Sequence, residues 1–470
     1  MLALAGCIIF SFLPYTASSQ YDEYRFNHLF SASACLEDWN FYKTKLEKEH
    51  PNLYLYTSQA EMRQFFDSVT AIITGPMNSI NFFNLITLSH SKIKDGHTHI
   101  FPDPSTTKDN DLHASFFPIK VHWEEGRMYV VKMYSSDTQL VPGTEIQIIN
   151  GVNAGLLYNL MMHRQIRDGY NKTYPAWILE QYFAEYYSYH LGNPDEFILH
   201  TRKSDNTSET NTIKALPKDS IAYYKKTKYG ELRGDALFNT GITVEIDTSM
   251  HTAILTIKDF HDDILRTMYH QKFKDVISEC FKQIQKHQVE HLILDLRNNQ
   301  GGELKNGVTL LSNLLATPFK VLESYSKVDI KNYQIPMARL KPASGVALGV
   351  HIPFPENYTG KLYVLINGGS FSNSAIVCSA LQRYNRCLFI GDETGGNPSV
   401  IAAGGKYINL PNTKTKVLVP NLQYELRSKS QYSVTGLLPD YPIKPTLDDI
   451  LAGRDPVLLY AYQLIKEHQP

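Results

Sequence analysis

Three short segments carry residues whose types and spacing suit nucleophilic chemistry. Asn367-Gly368-Gly369-Ser370-Phe371-Ser372-Asn373-Ser374-Ala375 follows an apolar run at 362–366 and precedes a helical pattern at 374–383. A serine at such a strand-to-helix junction presents its hydroxyl at a sheet edge, and the following amide points where an oxyanion would form. The pentapeptide GxSxG of other strained serine turns is absent, and for this loop taken alone an ordinary helix cap is the favoured reading of Ser372 or Ser374. Asp295-Leu296-Arg297-Asn298-Asn299-Gln300-Gly301-Gly302 also lies between a buried apolar run and a helix. Its paired glycines let backbone N–H groups face a ligand, aided by the helix N-terminus, or simply make a tight turn. It lacks the complete GxGxxG or GK[ST] of nucleotide sites. Lys94-Asp95-Gly96-His97-Thr98-His99 offers a histidine as proton acceptor for a serine hydroxyl, or a surface histidine pair.

A fourth pattern is a decoy. His287-Gln288-Val289-Glu290-His291 spells HxxEH, but His291 opens the strand-like run 291–296. The helix therefore ends between the two histidines, which need to sit one turn apart to share zinc. The cysteines, Cys7, Cys35, Cys280, Cys378 and Cys387, form no CxxC pair. Cys378 and Cys387 read as buried thiols, with a disulfide permitted in an oxidising compartment.

Alternating strands and helices from 241 to about 462 predict an α/β core with a mainly parallel sheet, whose loops at the carboxyl ends of strands build the site. Residues 20–110 read as an N-terminal helical region carrying His97, with Ser58 as a helix cap and 102–111 as a break. The segment 140–151, a strand and an Asn150-Gly151 turn before a helix, resembles the later half of a PDZ domain. It predicts a β-rich module over 111–170, joined to the core by a connecting helix and strands at 171–240. The fold class is thus α/β within a multidomain α+β chain.

The 470 residues are 43% hydrophobic and 20% charged, which predicts a globular chain, not a disordered one. A net charge of −1 supplies no field for nucleic acid or an anionic membrane. The apolar run 2–13, followed by small residues up to position 19, reads as a signal peptide over 1–19. It is too short to span a bilayer. An exported protein is expected, periplasmic or extracellular, with Leu4-Ala5-Gly6-Cys7 offering a misplaced lipoprotein box.

Taken in order, DGHT at 95–98, DLRxNxGG at 295–302, GGSxSxSA at 368–375 and GDETGG at 391–396 resemble the C-terminal processing peptidases and their tricorn-core relatives. The closing GLLPD at 436–440 and the 449–455 tail fit the same family. The resemblance implies a ClpP/crotonase-like core and a serine peptidase acting on extended or unfolded polypeptide, without metal or organic cofactor. It assigns the nucleophile to Ser372, with Ser370 and Ser374 supporting it. Where the processing branch carries a lysine base this chain has Asn397, which cannot accept a proton, so the tricorn-like branch is implied, with His97 as base and His99 second. The oxyanion donors implied are the N–H groups of Gly301 or Gly302 and of Asn373. An acidic residue orienting the base falls among Glu425, Ser430 and Gln431, of which Glu425 alone is a carboxylate; Glu393 is expected to be structural. The rival reading is a non-catalytic carrier on the same fold, as in the family's retinoid-carrying relatives.

Overall fold

A computed structural model of the chain describes residues 28–231, 241–328, 334–335 and 347–467. The signal-peptide and lipoprotein-box readings lie outside the described residues.

The core is a six-stranded sheet in the order Ile242–Asp247, Thr252–Ile257, His291–Asp295, Lys361–Ile366, Leu388–Gly391 and Tyr441–Pro442. The first pair is antiparallel and every later pair parallel. His291–Asp295 is buried along its whole length and Lys361–Ile366 at all but its first residue. Central parallel strands are covered by helices on both faces, which is why both read as unbroken apolar runs. The helices Phe273–Lys286, Leu304–Leu314 and Asn373–Arg383 pack one face, and Pro456–Glu467 packs the other. His287 caps the helix ending at Lys286 and His291 begins the next strand, so the HxxEH histidines do not share a helix.

The N-terminal helices form a second core around Trp39, Tyr42, Phe66 and Phe82. Ser58 caps the helix Gln59–Ile72 in a full capping box with Glu61. The Pro/Asp/Thr stretch read as a break is instead the helix Pro104–His113. Asp103 accepts from Ser105 N–H at its start, so the same Pro and Asp that punctuate the periodicity serve as a helix beginning. Three C-terminal residues, Leu410, Val417 and Val419, belong to this N-terminal core. The strand Lys416–Leu418 pairs with His99–Phe101, which ties the histidine segment to the far end of the chain.

The β-rich unit is larger than 111–170. Glu196–Arg202 pairs with Glu145–Ile149, and Ser208–Lys214 pairs with Glu196–Arg202. One core includes Phe117, Ile146, Leu179, Phe197 and Ile213. The long helix Thr173–Leu191 packs into it instead of acting as a connector, because its Leu179, Phe183 and Tyr187 face that sheet. Among the described residues no helix is long and apolar enough to cross a membrane.

Candidate active site

Two loops meet because their strands are parallel neighbours in register. Asp295 lies opposite Leu365, so the chains after both strands leave the same sheet edge. Hydrogen bonds then weld loop to loop: Asn298 N–H to Asn367 Oδ1 at 2.9 Å, Phe371 N–H to Asn299 O at 3.0 Å, and Ser370 Oγ to Leu296 O at 2.9 Å. The Asp and Arg of DLR have a supporting role. Arg297 bridges Asp295 and Asp455 through four bonds of 2.8–3.0 Å, joining the loop to the C-terminal tail.

Ser372 sits at the start of Asn373–Arg383 with φ 53° and ψ −121°. For a residue with a side chain this conformation costs about 1–3 kcal/mol, a strain that persists where the surroundings over-determine it. Here both loops hold it, and it turns Oγ out of the helix. As the first helical residue, Asn373 has an N–H with no intrahelical acceptor. Its side chain is anchored to Glu303 O. Ser370 holds the loop, accepting from Asn367 N–H, while Ser374 Oγ is buried without a partner.

His97 Nε2 lies 3.0 Å from Ser372 Oγ, across 275 residues of sequence. For the hydroxyl to donate, Nε2 must be the bare nitrogen and the ring proton must sit on Nδ1. The ring is held by stacking. His97 lies on Phe371 at 4.8 Å, and Phe371 on Tyr174 at 4.1 Å, with Trp177 next at 6.0 Å from Tyr174. Gly96 is required by close approach: a Cβ there would meet the Phe371 ring at 2.6 Å and Asp168 Oδ1 at 2.9 Å. Burial lowers the His97 pKa below the usual histidine value, partly opposed by the Asp95 charge, so the ring is neutral at pH 7.

Other sequence-predicted residues are placed differently. His99 turns away to Tyr407 OH at 2.6 Å and Gly96 O at 3.3 Å. Gly301 N–H is already taken by Asn299 Oδ1 at 2.9 Å. In the bridge to Phe260 the neighbours of Gly302 make the bonds, Gly301 through its O and Glu303 through its N, leaving the Gly302 N–H directed elsewhere. The Gly301 lacks room for a side chain in any case, since a Cβ would lie 2.7 Å from Asn373 N and from Ser372 Cβ. Glu393 is structural, accepting from Asn171 Nδ2 and Gly436 N–H at 2.8 and 2.7 Å.

Glu425 is not the partner of His97. It lies in the strand Leu422–Glu425, paired with Ser324 and Val400, and accepts from Ser324 Oγ, Gln423 Nε2 and Tyr432 OH. Gln431 is exposed. The carboxylates near the base are Asp95 and Asp168, whose oxygens lie within 4.8 Å of each other and of a His97 ring nitrogen. Among the described residues these three are the one grouping that could hold a metal ion. Three of their four oxygens are already engaged: Asp168 accepts from Gly96 N–H and Asn397 N–H, and Asp95 Oδ2 from Thr98 and His50. Asn397, at the position of the other branch's lysine, supports Asp168. Asp95 stood beside His97 in the quoted motif, but nothing in the sequence around Asp168 signalled its place. Cys378 and Cys387 are free thiols.

Residues 251–443 match the profile of peptidase family S41. The chain is 23% identical over 233 residues to a probable CtpA-like serine protease of Staphylococcus aureus, covering 49% of this chain and 40% of that one. It is 25% identical over 224 residues to the carboxy-terminal processing protease CtpA of Bacillus subtilis, covering 46% and 44%. The chain thus spans less than half the length of these curated relatives. The solved structure of mature CPAF superposes with a TM-score of 0.67 at 15% identity, covering 93% of this chain and 99% of that one. This likeness extends the shared fold over the N-terminal and β-rich regions.

Proposed function

We propose, from the match of residues 251–443 to the profile of peptidase family S41, that the chain is an exported serine peptidase that hydrolyses peptide bonds through an acyl-enzyme on Ser372. The observation that carries this reading is the 3.0 Å contact between Ser372 Oγ and His97 Nε2, a distance suited to proton transfer. His97 takes the Ser372 proton as Oγ attacks the scissile carbonyl carbon. The N–H groups of Asn373 and Gly302 stabilise the tetrahedral oxyanion at the helix N-terminus. Imidazolium then gives its proton to the leaving amine as the C–N bond breaks. Water, deprotonated by His97, attacks the ester, and collapse releases the acid and returns the proton to Ser372 Oγ.

Extended or unfolded polypeptide is the substrate class. The β-rich unit, read as PDZ-like, would present such chains by strand addition. Export rests on the apolar run at 2–13. The test is incubation of the full chain, Ser372→Ala and His97→Ala with a diverse peptide mixture, reading new termini by mass spectrometry. Cleavage by the parent and by neither variant supports the reading. A folded parent that cuts nothing between pH 5 and about 9 overturns it in favour of a carrier protein.

A further inference from the structure

His97 Nδ1 must carry a proton if Nε2 is to receive one from Ser372, yet Nδ1 is buried and has no hydrogen-bond partner in the protein. A buried donor left alone costs about 1–3 kcal/mol. Two carboxylates, Asp95 and Asp168, lie beside the ring, with oxygens within 4.8 Å of one of its nitrogens and of each other. We propose that Asp95 and Asp168, and not Glu425, form the carboxylate pair that positions His97 from behind its Nδ1. The proposal rests on His97 being the base of Ser372 and adds the residues that set its tautomer and charge.

The two acids are built for different parts. Asp95 accepts from Thr98 Oγ1 at 2.6 Å and faces His50 Nε2 at 3.3 Å. These partners hold its carboxyl low, at about 2, against the penalty of burial. Asp168 joins three parts of the site, accepting from Gly96 N–H at 2.8 Å and Asn397 N–H at 3.0 Å. Burial and the Asp95 charge push its carboxyl up to about 7 despite those bonds. Like charges in one dry site keep one carboxyl protonated while the other is ionised. While Asp168 holds its proton, His97 therefore faces one negative charge, which stabilises the imidazolium formed during attack without making the resting ring a cation. Titratable groups facing the pair from the surrounding elements are His50, Tyr42, Tyr56, His90, His97, His99 and Tyr174. The three histidines besides His50 have depressed pKa values, and the tyrosines raised ones, so all of these are neutral near pH 7.

The experiment uses the full chain and two readouts that need no peptide substrate. One is the pH dependence of Ser372 phosphorylation by diisopropyl fluorophosphate, in which Oγ displaces fluoride from phosphorus. The other is the His97 imidazole titration followed by NMR. Asp95→Asn should lower the His97 pKa and slow that phosphorylation tenfold or more. Asp168→Asn should remove a titration step near pH 7 from the His97 shift and from the labelling profile. Glu425→Gln should alter labelling less than twofold.

Parental labelling rates and an unchanged His97 titration in both Asn variants would overturn the proposal. So would slowed labelling with an unmoved His97 titration, since that pattern belongs to a scaffold role. If an Asn variant fails to fold, the parent alone decides, because His97 must then sense a second ionisation near pH 7. If the parent does not react with the fluorophosphate, the Ser372–His97 reading fails, while the His97 titration still tests the carboxylate pair.

Discussion

The two halves of the candidate site are built in different ways. The Ser372 half is local: two adjacent parallel strands end together, and their loops bond to one another within a few residues of each strand. The His97 half is assembled at long range. Its segment is held by the pairing of His99–Phe101 with Lys416–Leu418, by the stack on Phe371 and Tyr174, and by Asp168 at Gly96 N–H. The first half is preorganised by the sheet, whereas the second depends on the N-terminal core being docked. The chemistry proposed here occurs only where the two halves touch.

The largest expected effect removes that contact from either side. Ser372→Ala and His97→Ala should each cut kcat/KM by about 10⁴-fold or more, and the double variant should lose little further, because the pair acts as a unit. Equal folding, checked by circular dichroism, keeps that comparison clean. Next comes the local half alone. Gly301→Ala places a methyl 2.7 Å from Asn373 N and Ser372 Cβ at a φ of +100°. Displacing the Asn373 donor should cost about 10²–10³ in kcat. KM should move less, since His97 and the aromatic stack are left in place.

The long-range half is sharpened by Asp38, which is buried in the first helix and receives Asn412 N–H, Thr413 N–H and Thr413 Oγ1 at 2.6–2.8 Å. Asp38→Ala strands these donors and should lower stability by about 2–4 kcal/mol, measured by urea unfolding. At temperatures where it stays folded its kcat should be close to parental. Its pH profile carries the sign set by burial. The depressed His97 pKa keeps the base neutral as pH falls, so the acid limb of kcat/KM should lie below the usual histidine value of 6.5. A midpoint above that value would contradict a desolvated His97. The smallest effect is assigned to Glu425→Gln, which loosens Ser324 and Tyr432 and should leave kcat/KM within about twofold.

The difference between the halves also explains what could be read from the sequence. Ser372, Asn373 and the glycine loop were legible because buried parallel strands write unbroken apolar runs, and the functional loops follow them directly. His97 was legible only through its short motif, and His99 stayed open until the structure turned it to Tyr407. Distance along the chain carried no information about which acid lies near the imidazole, and the structure engages Glu425 with Ser324, Gln423 and Tyr432. Asp168 left no pattern, since its two donors, Gly96 and Asn397, come from opposite ends of the chain. The β-rich boundary was missed for a related reason. The pairing of Glu196–Arg202 with Glu145–Ile149 spans the intervening helices, and no local periodicity records it.

The most direct test of the central claim is the rate of covalent labelling of Ser372 by a fluorophosphonate in the parent and in His97→Ala, with the modified residue identified by mass spectrometry. Activation by His97 predicts labelling at Ser372 in the parent and a loss of about 10³-fold or more in the variant. Labelling of Ser372 at the same rate in both proteins would contradict the account and send the search for the base elsewhere.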